Sequence, residues 1–181
     1  MDEARRTALK EAAVSGTPQP LGQSVTADGR PILDLIDGVR MRPAITHPDE
    51  RGTLTEIFDP RWEFDEAPLV FVYQVTIRPG QSKGWVKHAR HADRMFFSLG
   101  AIKVVLYDDR EDSPTRGSLN EFVVGEERRV LLHIPPGVWH ALKNVADRDA
   151  LFVNCPTEAY RHDDPDKWLL PNENDVIPYD L

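Results

Sequence analysis

The chain has one cysteine, Cys155, so neither an intramolecular disulfide nor a cysteine-rich metal site is available to it. It has no apolar run of bilayer-spanning length, and its start, Met1 to Val14, lacks the apolar stretch of a signal peptide. These absences predict a cytoplasmic protein with no membrane partner. Positive charge is in deficit: 22 Lys and Arg stand against 30 Asp and Glu, a net charge of -8. An acidic surface repels phosphate backbones, which argues against a nucleic-acid partner. An anionic small molecule would need a local basic patch. A glycine-rich phosphate loop, a serine triad and a Cys–His pair are all missing, as are internal repeats and low-complexity segments.

What is present fits one domain. At 181 residues, 40% hydrophobic and 29% charged, the chain can bury a core without staples. Residues 2–14 are good helix formers stopped by Ser15-Gly16-Thr17-Pro18. Residues up to about 31 therefore read as a short N-terminal helix or an extended arm, and 32–181 as the folded domain. Beyond Pro31, apolar and polar residues alternate in short runs at 53–58, 69–77, 95–97, 102–107, 121–124, 130–134 and 151–153. Rich in β-branched and aromatic residues and bounded by turn formers, they predict an all-β sandwich or barrel. The tail from His162 reads as a closing loop with at most a short strand at Val176-Ile177.

Polar chemistry concentrates between two of these runs. Lys83, Lys87, Arg90 and Arg94 surround His88 and His91. The cations suit a phosphate or diphosphate, and the histidines can move protons near neutrality. The same stretch also fits a solvated basic loop. Ile134-Pro135-Pro136-Gly137-Val138-Trp139-His140 is a rigid turn leading into a strand headed by His140. Asp49-Glu50-Arg51-Gly52 precedes Glu56 at a strand start, and Tyr160 follows the run ending at Cys155. A metal would take His88, His91 and His140, with Asp93 or Glu56 as carboxylate. Against that set, two residues separate His88 from His91, whereas neighbours on one strand face are separated by one.

Taken in order, these blocks resemble the dTDP-4-dehydrorhamnose 3,5-epimerase family over residues 32–181. The likeness is carried by Asp49 to Gly52 with Glu56, by Gln74, by Lys83-Gly84 leading to His88, by Arg94, by Asp108-Asp109-Arg110-Glu111-Asp112-Ser113-Pro114-Thr115-Arg116-Gly117, by Ile134 to His140, and by Tyr160. The resemblance implies a double-stranded β-helix of the cupin or jelly-roll type, a homodimer, a nucleotide-sugar substrate and no metal or organic cofactor. It implies that His88 is the base at C3 and C5 of a 4-keto sugar and Tyr160 the acid. Lys87 or Arg94 would steady the enolate oxygen, and Arg51, Glu56, Gln74 and His140 would line the site. The chain departs from the pattern in three places. Trp85-Val86-Lys87-His88 stands for the usual Arg-Gly-Leu-His, and His91 is an added imidazole. The family's later aspartate partner of the histidine has no counterpart before Leu181, which leaves Asp93 or a dimer mate to serve. A metal-dependent cupin enzyme, a 3,4-ketoisomerase and a non-catalytic nucleotide-sugar binder are the alternatives.

Overall fold

Alternation of apolar and polar residues becomes strand in twelve places. The computed structural model describes residues 24–28 and 32–181, so the helix expected over 2–14 lies outside the described residues. The chain divides into two units, Met1–Asp34 and Leu35–Leu181. In the first, the Ile32 amide donates to the Ser24 carbonyl at 2.9 Å. Everything below concerns the second.

Its strands are β1 (Arg40–Pro43), β2 (Thr46–Asp49), β3 (Gly52–Thr55), β4 (Tyr73–Ile77), β5 (Ser82–Lys87), β6 (Asp93–Leu99), β7 (Ala101–Asp108), β8 (Leu119–Gly125), β9 (Val130–Ile134), β10 (Val138–Asn144), β11 (Ala150–Asn154) and β12 (Trp168–Leu169). One sheet has the order β1-β9-β6-β11-β4, the second β12-β5-β10-β7-β8, and β2 and β3 form a hairpin. Every pairing is antiparallel. From β4 to β12 the chain passes between the two sheets at nearly every step, which makes the fold a double-stranded β-helix of cupin type. No α-helix occurs among the described residues.

The period-two rule places the core. Met95 and Phe97 of β6, Val130, Leu132 and Ile134 of β9, and Ala150 and Phe152 of β11 point from the first sheet toward Ile102, Val104 and Leu106 of β7, Phe122 and Val124 of β8, and Leu142 of β10. A second apolar cluster covers the outer face of the second sheet, where Trp85, Val105, Trp139 and Ala141 pack with Ile177, Tyr179 and Leu181. The tail thus contributes packing at Ile177 rather than the strand expected there, and the terminal strand is Trp168–Leu169, paired with β5. Ser82–Lys87, expected as a polar connection, is itself a strand because Trp85 fills that outer cluster.

One turn matters for the site. Pro135 to Val138 closes with the Val138 amide on the Pro135 carbonyl, and Gly137 sits at φ +84°, the third position of a type II turn. The Gly137 amide donates to the His88 carbonyl at 2.7 Å, tying the start of β10 to the end of β5.

Candidate active site

Beyond that tie, three elements bring imidazoles to a buried carboxylate. His140 is an inward residue of β10, opposite Val86 of β5. Asp93, 2% exposed, opens β6. His88 and His91 belong to the turn between β5 and β6. The Nε2 atoms of His88 and His140 lie 3.4 and 3.3 Å from the same oxygen, Oδ2 of Asp93. The other oxygen, Oδ1, accepts from Asn154 Nδ2 at 2.7 Å, and that amide also reaches the Tyr73 hydroxyl at 2.8 Å. The His88 and His140 ring centroids are 5.6 Å apart, and His91 stacks on His88 at 4.1 Å.

A second carboxylate fixes the turn. Asp166 accepts from the amides of Ala89, Arg90 and His91 at 2.8, 2.7 and 3.3 Å, and its Oδ2 lies 3.0 Å from His91 Nδ1. Its backbone carbonyl contacts His88 Nδ1. Nε2 of His91 has no hydrogen-bond partner among the described residues.

Environment sets the charges. Burial works against ionising Asp93, but the hydrogen bond from His88 and the charge of both neighbouring imidazoles hold its carboxyl well below the usual range. Burial also opposes a charged His88, yet Asp93 and the Asp166 carbonyl outweigh it and raise its pKa. His140, fully desolvated and beside His88, is pushed down to about 4 despite Asp93. Burial and the His88 charge lower His91. The two stacked imidazoles are thus shifted in opposite directions, His88 toward its charged form and His91 toward its neutral one.

These groups open into a cavity of about 510 Å³ that His88, His91, Asp93, His140 and Tyr160 all line, with Val75, Met95, Leu142 and Phe152 as its apolar lining. Tyr160 is 54% exposed and meets His162 edge-on at 5.0 Å. Lys83, Arg90, Arg161 and Lys167 are its cations. Arg90 donates to the Asp164 carboxylate at 2.8 Å, which also faces Arg161 at 3.6 Å.

The cavity unites His88, His140 and Tyr160 of the expected residues and leaves out five others. Lys87 follows an inward Val86 and so points outward, where its ammonium meets Asp109 at 2.9 Å and the Trp139 ring at 4.6 Å. Gln74 lies between the inward Tyr73 and Val75 and is likewise turned out. Arg94 is fully buried and spent on backbone carbonyls: Cys155 and Ala67 at 2.7 Å, Pro68 at 2.9 Å and Pro156 at 3.3 Å. Arg51 pairs with Asp49 on the exposed β2–β3 hairpin, and Glu56 follows that hairpin, exposed. Among the described residues, metal-capable donors form two sets, His88–Asp93–His140 and His88–His91–Asp166, rather than the expected trio of His88, His91 and His140. Asp166, Tyr73 and Asn154 were not anticipated, and the only advance signal for Asp166 was the acidic run Asp163-Asp164-Pro165-Asp166.

Fold and site together define a cupin-type enzyme with an imidazole–carboxylate cluster in its barrel. The comparisons refine this. The family model described as dTDP-4-dehydrorhamnose 3,5-epimerase matches residues 34–176. The chain is 39% identical over 138 residues, 75% of its length and 88% of the relative's, to the probable low-salt glycan biosynthesis epimerase Agl13 of Haloferax volcanii. It is 32% identical over 148 residues, 80% and 95% of the two chains, to the spore coat polysaccharide biosynthesis protein SpsL of Bacillus subtilis. A crystal structure of a dTDP sugar isomerase from Desulfovibrio desulfuricans G20 superposes with a TM-score of 0.75 at 28% identity, covering 80% of this chain and 90% of that one. The chain belongs to the dTDP-4-dehydrorhamnose 3,5-epimerase family, a family of isomerases.

Proposed function

We propose that this enzyme inverts one or both carbons flanking the ketone of a dTDP-linked 4-keto-6-deoxyhexose. The carrying observation is that His88, His91 and Tyr160 line one cavity. An imidazole of the His88–His91 pair takes the proton from C3 or C5. The electron pair left by the broken C–H bond moves into the enolate, and Tyr160 returns a proton to the opposite face of the same carbon. The ketone acidifies both neighbouring carbons, so one geometry serves either centre. The family resemblance implies His88 as the base. Within the pair, His91 presents an Nε2 with no hydrogen-bond partner among the described residues, and its Nδ1 lies 3.0 Å from Asp166 Oδ2.

The diphosphate takes the cations at the cavity edge. Arg90, Tyr160 and Arg161 are shared with an adjoining open groove that also includes Val70, Thr157 and Glu158. Both arginines face the Asp164 carboxylate in this structure and would exchange that anion for the diphosphate. The Desulfovibrio relative is named for a dTDP sugar and the Haloferax one for glycan biosynthesis, which supports the same substrate class. A nucleotide-linked substrate also favours a cytoplasmic setting. A homodimer is our reading of the exposed apolar residues Ile45, Leu54, Leu69, Val70 and Val72. Sedimentation giving a monomer would remove that part.

The test is NMR of a dTDP-4-keto-6-deoxyhexose incubated with enzyme in D₂O. Wild type is expected to place deuterium at C3, C5 or both. His91→Asn and Tyr160→Phe are expected to slow turnover by about 10²–10⁴-fold. Migration of the keto group to C3, or binding without exchange, would overturn the reaction.

A further inference from the structure

We infer that the hydroxyl of Tyr73 is a further catalytic group, the hydrogen-bond donor to the sugar's keto oxygen as that oxygen takes on the enolate charge. The role deepens the epimerase reading and rests on it. That reading assigns the oxygen no donor. Lys87, expected for the task, is turned outward to Asp109, and Arg94 is consumed by backbone carbonyls.

The direction of one hydrogen bond singles out Tyr73. It opens β4, opposite Asn154 of β11. Asn154 is fully buried, and its neighbours allow only one orientation of the side-chain amide. Its Oδ1 accepts from the Arg94 backbone amide at 3.2 Å. Its Nδ2 gives one hydrogen to Oδ1 of Asp93 at 2.7 Å, a carboxylate that stays ionised and so can only accept. The second hydrogen goes to the Tyr73 oxygen at 2.8 Å. Flipping the amide would set its oxygen against that carboxylate. The phenol oxygen therefore accepts from within the protein, and its own hydrogen remains to be given. No acceptor for it occurs among the described residues. The side chain lines the cavity, so the hydrogen is offered to a molecule bound there.

The surroundings suit a ketone better than a phosphate. The Phe71 ring lies 5.4 Å from that of Tyr73, and Val75, Met95 and Phe152 line the same cavity. An uncharged donor among apolar side chains binds a neutral carbonyl modestly. It holds the same oxygen more firmly as negative charge develops, because a low local dielectric magnifies the interaction. Burial and the Asp93 charge raise the Tyr73 pKa, which keeps the proton on the phenol. The electron count needs no further reactant. The base takes the proton from carbon, the C–H pair becomes the enolate double bond, and a carbonyl pair moves to oxygen. Tyr73 shares its hydrogen with that oxygen and keeps it. The proton restored to carbon comes from Tyr160.

The test is Tyr73→Phe in the full chain, assayed with a dTDP-4-keto-6-deoxyhexose in D₂O. Losing one such donor is expected to lower kcat by about 10²–10³-fold. Affinity for dTDP, measured by calorimetry, is expected to stay within about threefold of wild type. Deuterium uptake and inversion are expected to slow together, because both pass through the enolate. Tyr160→Phe acts after the enolate and is expected to lose inversion while retaining uptake. A Tyr73→Phe kcat within about threefold of wild type overturns the role, as does a loss of dTDP affinity that matches the loss of rate. Difluorotyrosine at position 73 nearly keeps the shape of the side chain and brings the phenol pKa toward the neutral range. Only the protonated phenol donates, so the alkaline limb of the kcat profile is expected to move to lower pH than in wild type. An unmoved limb overturns the donor role even where Tyr73→Phe is inactive or unfolded. Wild type that takes up no deuterium sinks the epimerase reading and this role with it. Wild-type uptake beside an equally active Tyr73→Phe sinks the role alone.

Discussion

Arg94 separates a substrate ligand from a structural latch, and the two roles predict opposite results. Its guanidinium donates to four backbone carbonyls, those of Cys155, Ala67, Pro68 and Pro156, and lies 4.9 Å from the Phe58 ring centre. It therefore ties β6 to the segment before β4 and to the segment that carries Tyr160. Hydrogen bonds to a charged group are worth about 1.5–3 kcal/mol each, but they are not additive, and removing the arginine also removes the cost of burying it. Four stranded carbonyls against that relief put Arg94→Met at about 3–5 kcal/mol. In a chain of this size that lowers the unfolding temperature by roughly 6–20 °C. Arg94→Lys keeps the charge and loses the fork, so it is expected to fall nearly as far. Thermal unfolding beside calorimetric titration with dTDP decides the matter. Both variants unfolding within about 2 °C of wild type, with dTDP binding weakened more than about tenfold, would refute the latch and restore the substrate role.

Two further outcomes follow from the same geometry. Lys87→Met is expected to leave kcat/KM within about twofold of wild type, because the side chain lies on the outer face. It should cost about 0.5–2 kcal/mol in urea unfolding through the lost Asp109 and Trp139 contacts. Asp108 is buried and accepts from Arg110 Nε at 2.8 Å, Ser113 Oγ at 2.5 Å and Thr115 Oγ1 at 2.7 Å. These bonds overcome the burial that would raise its carboxyl and hold it well below the usual value. The stability so gained is complete above the unfolded-state value of about 4 and is lost as pH falls toward the lower folded value. Asp108→Asn should therefore cost about 2–4 kcal/mol at neutral pH, with the gap to wild type closing below about pH 4 in acid titrations. A constant gap from neutral to acid would contradict this.

How much of this was legible in the sequence depends on how local each feature is. Short alternating runs with β-branched and aromatic residues marked β7, β8, β9 and β11 nearly to the residue, because period-two burial writes itself into the chain. The Ser113-Pro114-Thr115 and Pro135-Pro136-Gly137 blocks were readable for the same reason: turn chemistry is local. β5 was missed because its inward and outward residues do not alternate in hydrophobicity. Gly84 and Lys83 interrupt it, and its pairing with β10 shifts register between His140 and Leu142. The shift lets Lys83 and Val86 both face the cavity, which simple alternation forbids.

The same rule, applied more strictly, bears on the catalytic assignment. Lys87 and His88 are consecutive at the end of a strand, so a cavity that holds the imidazole excludes the ammonium. Gln74 is excluded by Tyr73 and Val75 on the same ground. A motif match records which residue types occur in which order and carries no information about which face they occupy. Non-local pairing is the other blind spot. Asp166 reaches back across more than seventy residues to the amides of 89–91, and the acidic run that contains it does not say which amides it meets. Of the two carboxylate partners expected for His88, Asp93 or one from a dimer mate, Asp93 lies beside it, and Asp166 lies beside His91. With two carboxylates serving two stacked imidazoles, either histidine can be oriented for proton transfer by an acidic partner among the described residues.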